Sequence, residues 1–274
     1  MSYRSAIRLY GALAILLLAA APALAQFRPR PLSDPATGEK YHIEGGIGFW
    51  SPTADMSISS ESLGIIGSTI DFKKDLGITD NRFSELHLVL RPAAKHKFRF
   101  QLIPIDYVKT NHTLTRTIVF NGQAYNVGIL VNSELNWKAY RLAYEYDFLR
   151  RDRWFAGFVF DAKYTDVKAT VQSQFVTEFA HAQAPVPTIG GIGRYYVTPN
   201  ISITGELTGI KIPDSISKDT KAHYADVDIY GTLNFTNTLG AQVGYRDFDI
   251  GYKFDNDHGS FNLKGLYFGV VARY

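Results

Sequence analysis

The stretch Phe261–Tyr274 reads Phe-Asn-Leu-Lys-Gly-Leu-Tyr-Phe-Gly-Val-Val-Ala-Arg-Tyr. Counted back in steps of two, Tyr274, Ala272, Val270, Phe268 and Leu266 share one face, and Arg273, Val271, Gly269, Tyr267 and Gly265 share the other. The alternation is that of a strand. The first face is apolar throughout with an aromatic at each end, whereas the second mixes a charge, small residues and one tyrosine. The same rhythm recurs along the chain, so the apolar faces are expected to meet lipid, as on the outside of a transmembrane β-barrel.

The amino-terminal residues give the address. Arg4 and Arg8 precede the apolar run Leu9–Leu18 and the small-residue stretch Ala23-Leu24-Ala25. Residues 1–25 therefore read as a secretory signal peptide cleaved before Gln26. No later stretch approaches the roughly 18 uninterrupted apolar residues a membrane helix needs. The bilayer is then open only to a closed barrel, because lipid cannot satisfy an open sheet edge.

Composition points the same way. The 17 Tyr, 18 Phe and 23 Gly suit interfacial aromatic girdles and crowded strand crossings. With no cysteine there is no disulfide framework, thiol chemistry or acylated cysteine. Without Arg4 and Arg8, 27 of the 29 basic residues face 26 acidic ones, a balance too even for a nucleic-acid partner. No cofactor motif is visible.

Residues 26–40 are Pro-rich and polar and read as a periplasmic lead-in without structure of its own. From 41 to 274 the pattern gives ten antiparallel strands, with eight as the competing count. Short turns fall at 92–97, 149–153, 198–200 and 236–238, with longer connections between them. A long outer loop is expected over 51–81, another around Ala182-Gln183-Ala184-Pro185, and a last one at 255–260. Pro104 calls for a bulge or an edge-like break with a change of phase. A second change of phase is expected after Arg246, because Phe248, Ile250 and Tyr252 then occupy the apolar positions. Val108–Ser133 reads as one long hairpin, with Asn121-Gly122 favouring a type I′ turn. Its Leu114, Ile118, Val119, Phe120 and Tyr125 suit either an extracellular partner site or packing within the hairpin.

The whole mature chain, from residue 26 on, resembles the small outer-membrane β-barrel proteins of Gram-negative-type envelopes. Gly244-Tyr245-Arg246 and the run Gly265–Tyr274 look like their closing hairpin. The resemblance implies residence in the outer membrane among its lipids. It further implies that Leu266, Phe268, Val270, Ala272 and Tyr274 form the C-terminal signal read by the barrel-assembly machinery.

The inward positions then hold Glu44, Glu85, His87, Arg99, Arg141, Glu145, Asp161, Lys163, Arg194, Glu206, Asp226, Asp228, Arg246 and Arg273. A barrel of eight to ten strands is narrow and its interior is largely filled by side chains. Two readings follow: an ion-pair network that plugs the lumen, or a narrow charge-lined path for ions or small solutes. Asp226 and Asp228 share one face and could divide acid and base roles, or be neutralised by Arg194 or Arg246. His87 has no second histidine at metal-site spacing, so a hydrogen-bonded filler is the simpler reading. His258-Gly259-Ser260 is similar to the His-x-Ser pair of outer-membrane lipid A deacylases, which implies a triad with Asp255 or Asp257. Its Asp-Asn-Asp-His-Gly-Ser setting instead reads as turn chemistry at a loop tip. A structural or surface-interaction barrel comes first, then a passive channel, then a lipid-modifying enzyme.

Overall fold

The computed structural model describes residues 35–59, 65, 67–212, 220–254 and 257–274. The expected signal peptide and the lead-in as far as residue 34 lie outside the described residues. The described residues form strands and no helix: β1 (Ile43–Ser59), β2 (Ile70–Asp71), β3 (Phe83–Ala93), β4 (His96–Thr113), β5 (Ile118–Phe120), β6 (Gln123–Tyr125), β7 (Leu130–Arg151), β8 (Trp154–Ser173), β9 (Thr177–Thr198), β10 (Ile201–Lys211), β11 (Thr220–Asn234), β12 (Leu239–Phe254) and β13 (Asp257–Arg273). Ten of them close into an antiparallel barrel in the order β1-β3-β4-β7-β8-β9-β10-β11-β12-β13. β13 returns to β1 along a ladder from Glu44↔Arg273 to Ser59↔His258, so no edge is left facing lipid there. The count is ten, not eight.

The outward rows of the lower barrel are apolar. Phe49, Leu86, Phe100, Leu142, Phe158, Ile203, Ile229, Val243 and Phe268 all lie exposed on this wall. Phe268 is 59% exposed while its neighbour Tyr267, turned inward, is 7% exposed. The tight reversals between β3 and β4, β7 and β8, β9 and β10, and β11 and β12 all lie at one end, the end of the short turns.

Apart from β3 and β10, with 11 residues each, the wall strands run past the roughly 9–11 residues that cross a bilayer. β7 and β9 have 22 residues each. Above the apolar belt the wall changes character: Asp106, Lys138, Lys168 and Lys264 point outward and are exposed. The interior changes in the opposite sense. Trp50, Ile105, Leu135, Trp137, Phe248, Phe261 and Leu263 fill it as one apolar core. The upper half is built like a water-soluble barrel, and the lower half is its inverse.

That inversion corrects both expected changes of phase. At Pro104 the β4–β7 register runs unbroken from Leu102↔Tyr140 to Tyr107↔Leu135, and Ile103, Ile105 and Tyr107 continue the inward row of Arg99 and Gln101. The β3 ladder stops at Leu86↔Leu102, so Pro104 sits where β4 has a partner on one side only. After Arg246 the β12–β13 register is likewise continuous from Leu239↔Ala272 to Phe254↔Asp257. Phe248 therefore faces inward in the same row as Arg246, and what changes is the medium on each side of the wall.

Two expected loops are strand. β1 continues through Ser51 to Ser59, and Ala182-Gln183-Ala184-Pro185 lies within β9, paired to β8 through Tyr164↔Pro185 and Asp166↔Gln183. Pairing of β9 with β10 reaches only Ile189↔Gly209, so Pro185 and Pro187 occupy a stretch with a ladder on one side. His258-Gly259-Ser260 also lies in β13 rather than at a loop tip.

The extracellular end is capped from within. Asn121 and Gly122 turn the β5–β6 hairpin with φ of 50° and 79°, the left-handed pair of a type I′ turn. Leu114, Ile118, Phe120 and Tyr125 point down into the apolar core, Ile118 at 0% exposure, and Val119 is half-buried. Packing therefore takes these residues, not an exposed partner site. Residues 67–78 lie against the hairpin: Arg116 donates to both Asp75 oxygens, at 2.7 and 2.6 Å, and to the Thr69 carbonyl at 2.7 Å.

Candidate functional site: the charged lumen

Period-two geometry decides what the lower lumen contains. Each strand that shows lipid an apolar row turns its alternate residues inward, and ten strands bring those rows within reach of one another. Glu44, Glu85, Glu145, Asp161, Lys163, Arg194, Glu206, Asp226, Arg246 and Arg273 are all buried inside the barrel. His87, Arg99, Arg141 and Asp228 are half-buried there.

Most of these charges join one chain of alternating sign that crosses the bore. Starting at the periplasmic side, Asp147 pairs with Lys97 at 3.0 Å, and Lys97 also pairs with Glu145. Glu145 accepts from Arg99 at 2.9 Å, and Arg99 reaches Glu206 at 3.1 Å. Glu206 pairs with Arg141, which binds Asp161 at 2.9 Å. Lys163 lies 3.5 Å from Asp161 and 2.8 Å from Asp226, and Arg246 closes the chain on Asp226 at 2.6 Å. Burying so many charges is tolerable only because each carboxylate of the relay faces at least one cation. The Thr188 hydroxyl donates to Asp161 at 3.2 Å, and the Thr208 hydroxyl accepts from Lys163 at 2.8 Å.

Asp226 and Asp228 separate cleanly. Asp226 is held by Arg246 and Lys163, while Asp228, among the described residues, accepts from the Tyr267 hydroxyl at 2.9 Å. Glu85 similarly accepts from the neutral Gln101 amide. Glu85, Asp228 and His87 line a cavity of about 50 Å³ together with Tyr230 and Gln242. That is room for a few water molecules at most. Gly46 makes the space for His87: a Cβ there would come within 2.1 Å of the imidazole, so the ring lies flat against bare backbone.

Where the charged lumen meets the apolar one, Arg246 sits between them, its guanidinium 5.9 Å from the Trp50 ring and 5.7 Å from the Phe248 ring. Trp137 packs on Phe248 and Phe261 at 5.2 and 5.8 Å and donates its indole N–H to Thr165 at 2.6 Å.

The periplasmic mouth holds residues that the alternation missed. Residues 35–40, without strand or helix of their own, are hydrogen-bonded into it. Glu39 accepts from Arg194 at 3.0 Å and from the Tyr196 hydroxyl at 2.8 Å, and Arg91 donates to its carbonyl. Burial works against the ionised Glu39, but Arg194, Lys97 and Tyr196 outweigh it and hold the carboxyl below its ordinary range. Arg273 binds Glu44 and donates to Asn234 Oδ1 at 2.8 Å. Lys97, read as part of a basic turn, is buried over the Phe155 ring at 3.9 Å. Counting back by two from Arg99 would have placed Lys97 inside; nothing local in the sequence places Glu39.

His258 and Ser260 share the outward face of β13. The imidazole is hydrogen-bonded to Thr69 Oγ1 at 3.1 Å. Of the two candidate acids, Asp255 lies outside the described residues. Among the described residues no cluster of three metal-ligating side chains occurs.

No protein-family model and no curated protein matches the chain. Solved structures do. The outer-membrane protease OmpT of Escherichia coli aligns with a TM-score of 0.55 at 9% identity, covering 89% of this chain and all of OmpT. An outer-membrane channel of Pseudomonas putida F1 aligns at 0.40 and 11% identity over 90% of this chain and all of its own. The translocator domain of the autotransporter NalP from Neisseria meningitidis aligns at 0.37 and 11%, covering 99% of this chain and 98% of the domain. At these identities the likeness is one of fold, and that fold is the outer-membrane β-barrel.

Proposed function

We propose that this chain, with the fold of an outer-membrane β-barrel, resides in the outer membrane as a closed scaffold whose lumen is filled and whose capped, polar upper wall faces the cell exterior. The observation carrying this reading is the unbroken relay of opposite charges from Asp147 to Arg246, lying directly beneath an apolar core. An ion entering the bore would have to separate buried pairs, and a water column would have to replace packed rings. The role this supports is structural or surface-interacting. It is carried by the exposed rows of the upper wall, such as Asp106, Lys138 and Lys168, since the hairpin's apolar residues are committed to the core. Leu266, Phe268, Val270, Ala272 and Tyr274 form the exposed, lipid-facing row of the closing strand, which suits the proposed role as the signal read by the assembly machinery.

Planar-bilayer recording on the purified protein tests the reading. A closed scaffold gives no steady single-channel steps, whereas stable, sizeable steps would establish the narrow channel instead. Lipid A mass spectra from cells with and without the protein test the remaining enzymatic reading, and the scaffold predicts identical acylation.

A further inference from the structure

The geometry points to residues 35–41 as a strap that bolts the periplasmic mouth shut and controls water access to the lumen cavity. This rests on the closed-scaffold reading above and adds a site of control to it. The chain enters the wall at β1, yet Glu39 is held by Arg194 and Tyr196 of β9. β9 is five strands from β1 in either direction around the ten-stranded ring. The segment therefore spans the bore along a diameter.

It is fastened along its length. The Thr37 N–H donates to the Pro199 carbonyl in the β9–β10 turn at 2.7 Å. Asn234 of β11 donates to the Thr37 carbonyl at 2.8 Å, and the Gly38 N–H donates to Asn237 in the β11–β12 turn at 3.1 Å. On the near side Arg91 of β3 binds the Glu39 carbonyl, and its guanidinium lies 5.2 Å from the ring of Tyr41, itself buried. Gly38 has φ of 83°, a conformation side chains resist, and a Cβ there would fall 2.8 Å from Arg273 Nη1. The strap thus touches β3, β9, β11 and the β9–β10 and β11–β12 turns. A segment that only preceded the barrel would have no reason to supply a carboxylate to an arginine on the far wall.

Glu39 is the bolt. It is the single acidic side chain that the strap lays against Arg194, whose other hydrogen bonds go to the neutral Thr204 and Tyr230 hydroxyls at 2.8 and 3.2 Å. The Glu39 carboxylate also lies 3.7 Å from Arg91 on the near wall, so removing it takes the strap's charge-assisted hold from both walls, leaves the Thr37 and Gly38 hydrogen bonds as its fastening, and leaves the relay from Asp147 to Arg246 intact.

The chain has no cysteine, so a single one can be placed in the cavity as a reporter. Gln242→Cys lies on the cavity wall, near the periplasmic start of β12. Its rate of modification by a small charged thiosulfonate reagent is measured in detergent and in sealed outer-membrane vesicles. It is compared with the same reporter carrying Glu39→Gln, and with a variant lacking residues 35–40. Retained heat-modifiable gel migration identifies folded barrels; should the deletion not fold, Glu39→Gln alone decides. Slow labelling that rises by about tenfold in Glu39→Gln, the change expected when a charge-assisted contact no longer opposes local opening, supports the strap. Slow labelling unchanged by either variant overturns the strap and leaves the closed scaffold standing. Fast labelling already in the intact strap overturns both.

Discussion

The lower and upper halves of this barrel share the same ten strands and opposite insides. Below, the wall shows Phe49, Val243 and Phe268 to lipid and buries Lys163, Asp226 and Arg246; above, it shows Lys138 and Lys264 to water and buries Trp137, Phe248 and Leu263. β4, β7, β12 and β13 cross the boundary without a bulge at that point, as the continuous β4–β7 and β12–β13 registers demonstrate. The difference teaches that side-chain direction is fixed by backbone period while polarity is fixed by medium. The two are independent, so apolar residues shift parity along a strand whose geometry does not change.

The two insides should fail in different ways. The largest effect is expected from Asp226→Asn, which leaves Lys163 and Arg246 both facing a neutral amide. Breaking a buried network in this way costs about 3–5 kcal/mol, read as a lower urea midpoint for loss of heat-modifiable migration. Trp137→Ala opens the upper core at a cost of about 3–5 kcal/mol if the cap cannot collapse onto the space. Its signature should be local: cap proteolysis at residues 67–82 should increase while the lower barrel stays resistant. Equal loss of both halves would mean they are not separate cooperative units.

Smaller effects separate the outer surfaces. On the same face of β13, Val270→Arg should cost about 2–4 kcal/mol because it meets hydrocarbon. Lys264→Leu, six residues away, should stay within about 0.5 kcal/mol. Comparable costs at both positions would move the membrane boundary. The smallest effect concerns acid. The Arg116 hydrogen bonds hold Asp75 below its ordinary value of 3.8, so its contribution is complete above that value and is lost as pH falls through the lowered one. Pepsin cleavage within 67–82 should therefore begin only below Asp75's ordinary value of 3.8 in the native chain. Arg116→Ala should shift its onset upward.

Much of this was legible in the sequence, and the misses share a cause. The closing strand, the short turns and the ten-strand count follow from alternation, because below the boundary lipid demands an apolar row on every strand. The expected slips at Pro104 and after Arg246 came from assuming that apolar residues always face lipid. Ile105 and Phe248 face a protein core instead, which only the assembled ring provides. Within the lumen the identity of the charges was readable, but their order was not. The links Arg99 to Glu206 and Arg141 to Glu206 join β4 and β7 to β10 across the bore, and no spacing along the chain encodes them. Glu39 was hidden for a related reason: its partners lie 155 and 157 residues away, on the opposite wall.

The inversion is tested most directly by spin-label accessibility scanned residue by residue along β12, with cysteines introduced from 241 to 251 in the cysteine-free chain and read against oxygen and a water-soluble nickel complex. Labels at 243 and 245 should collide mainly with oxygen, those at 247 and 249 mainly with nickel, and those at 244, 246 and 248 with neither. A row in which 247 and 249 remain oxygen-accessible, or in which 248 becomes as exposed as 243, would contradict a wall whose two sides exchange media between Tyr245 and Asp247.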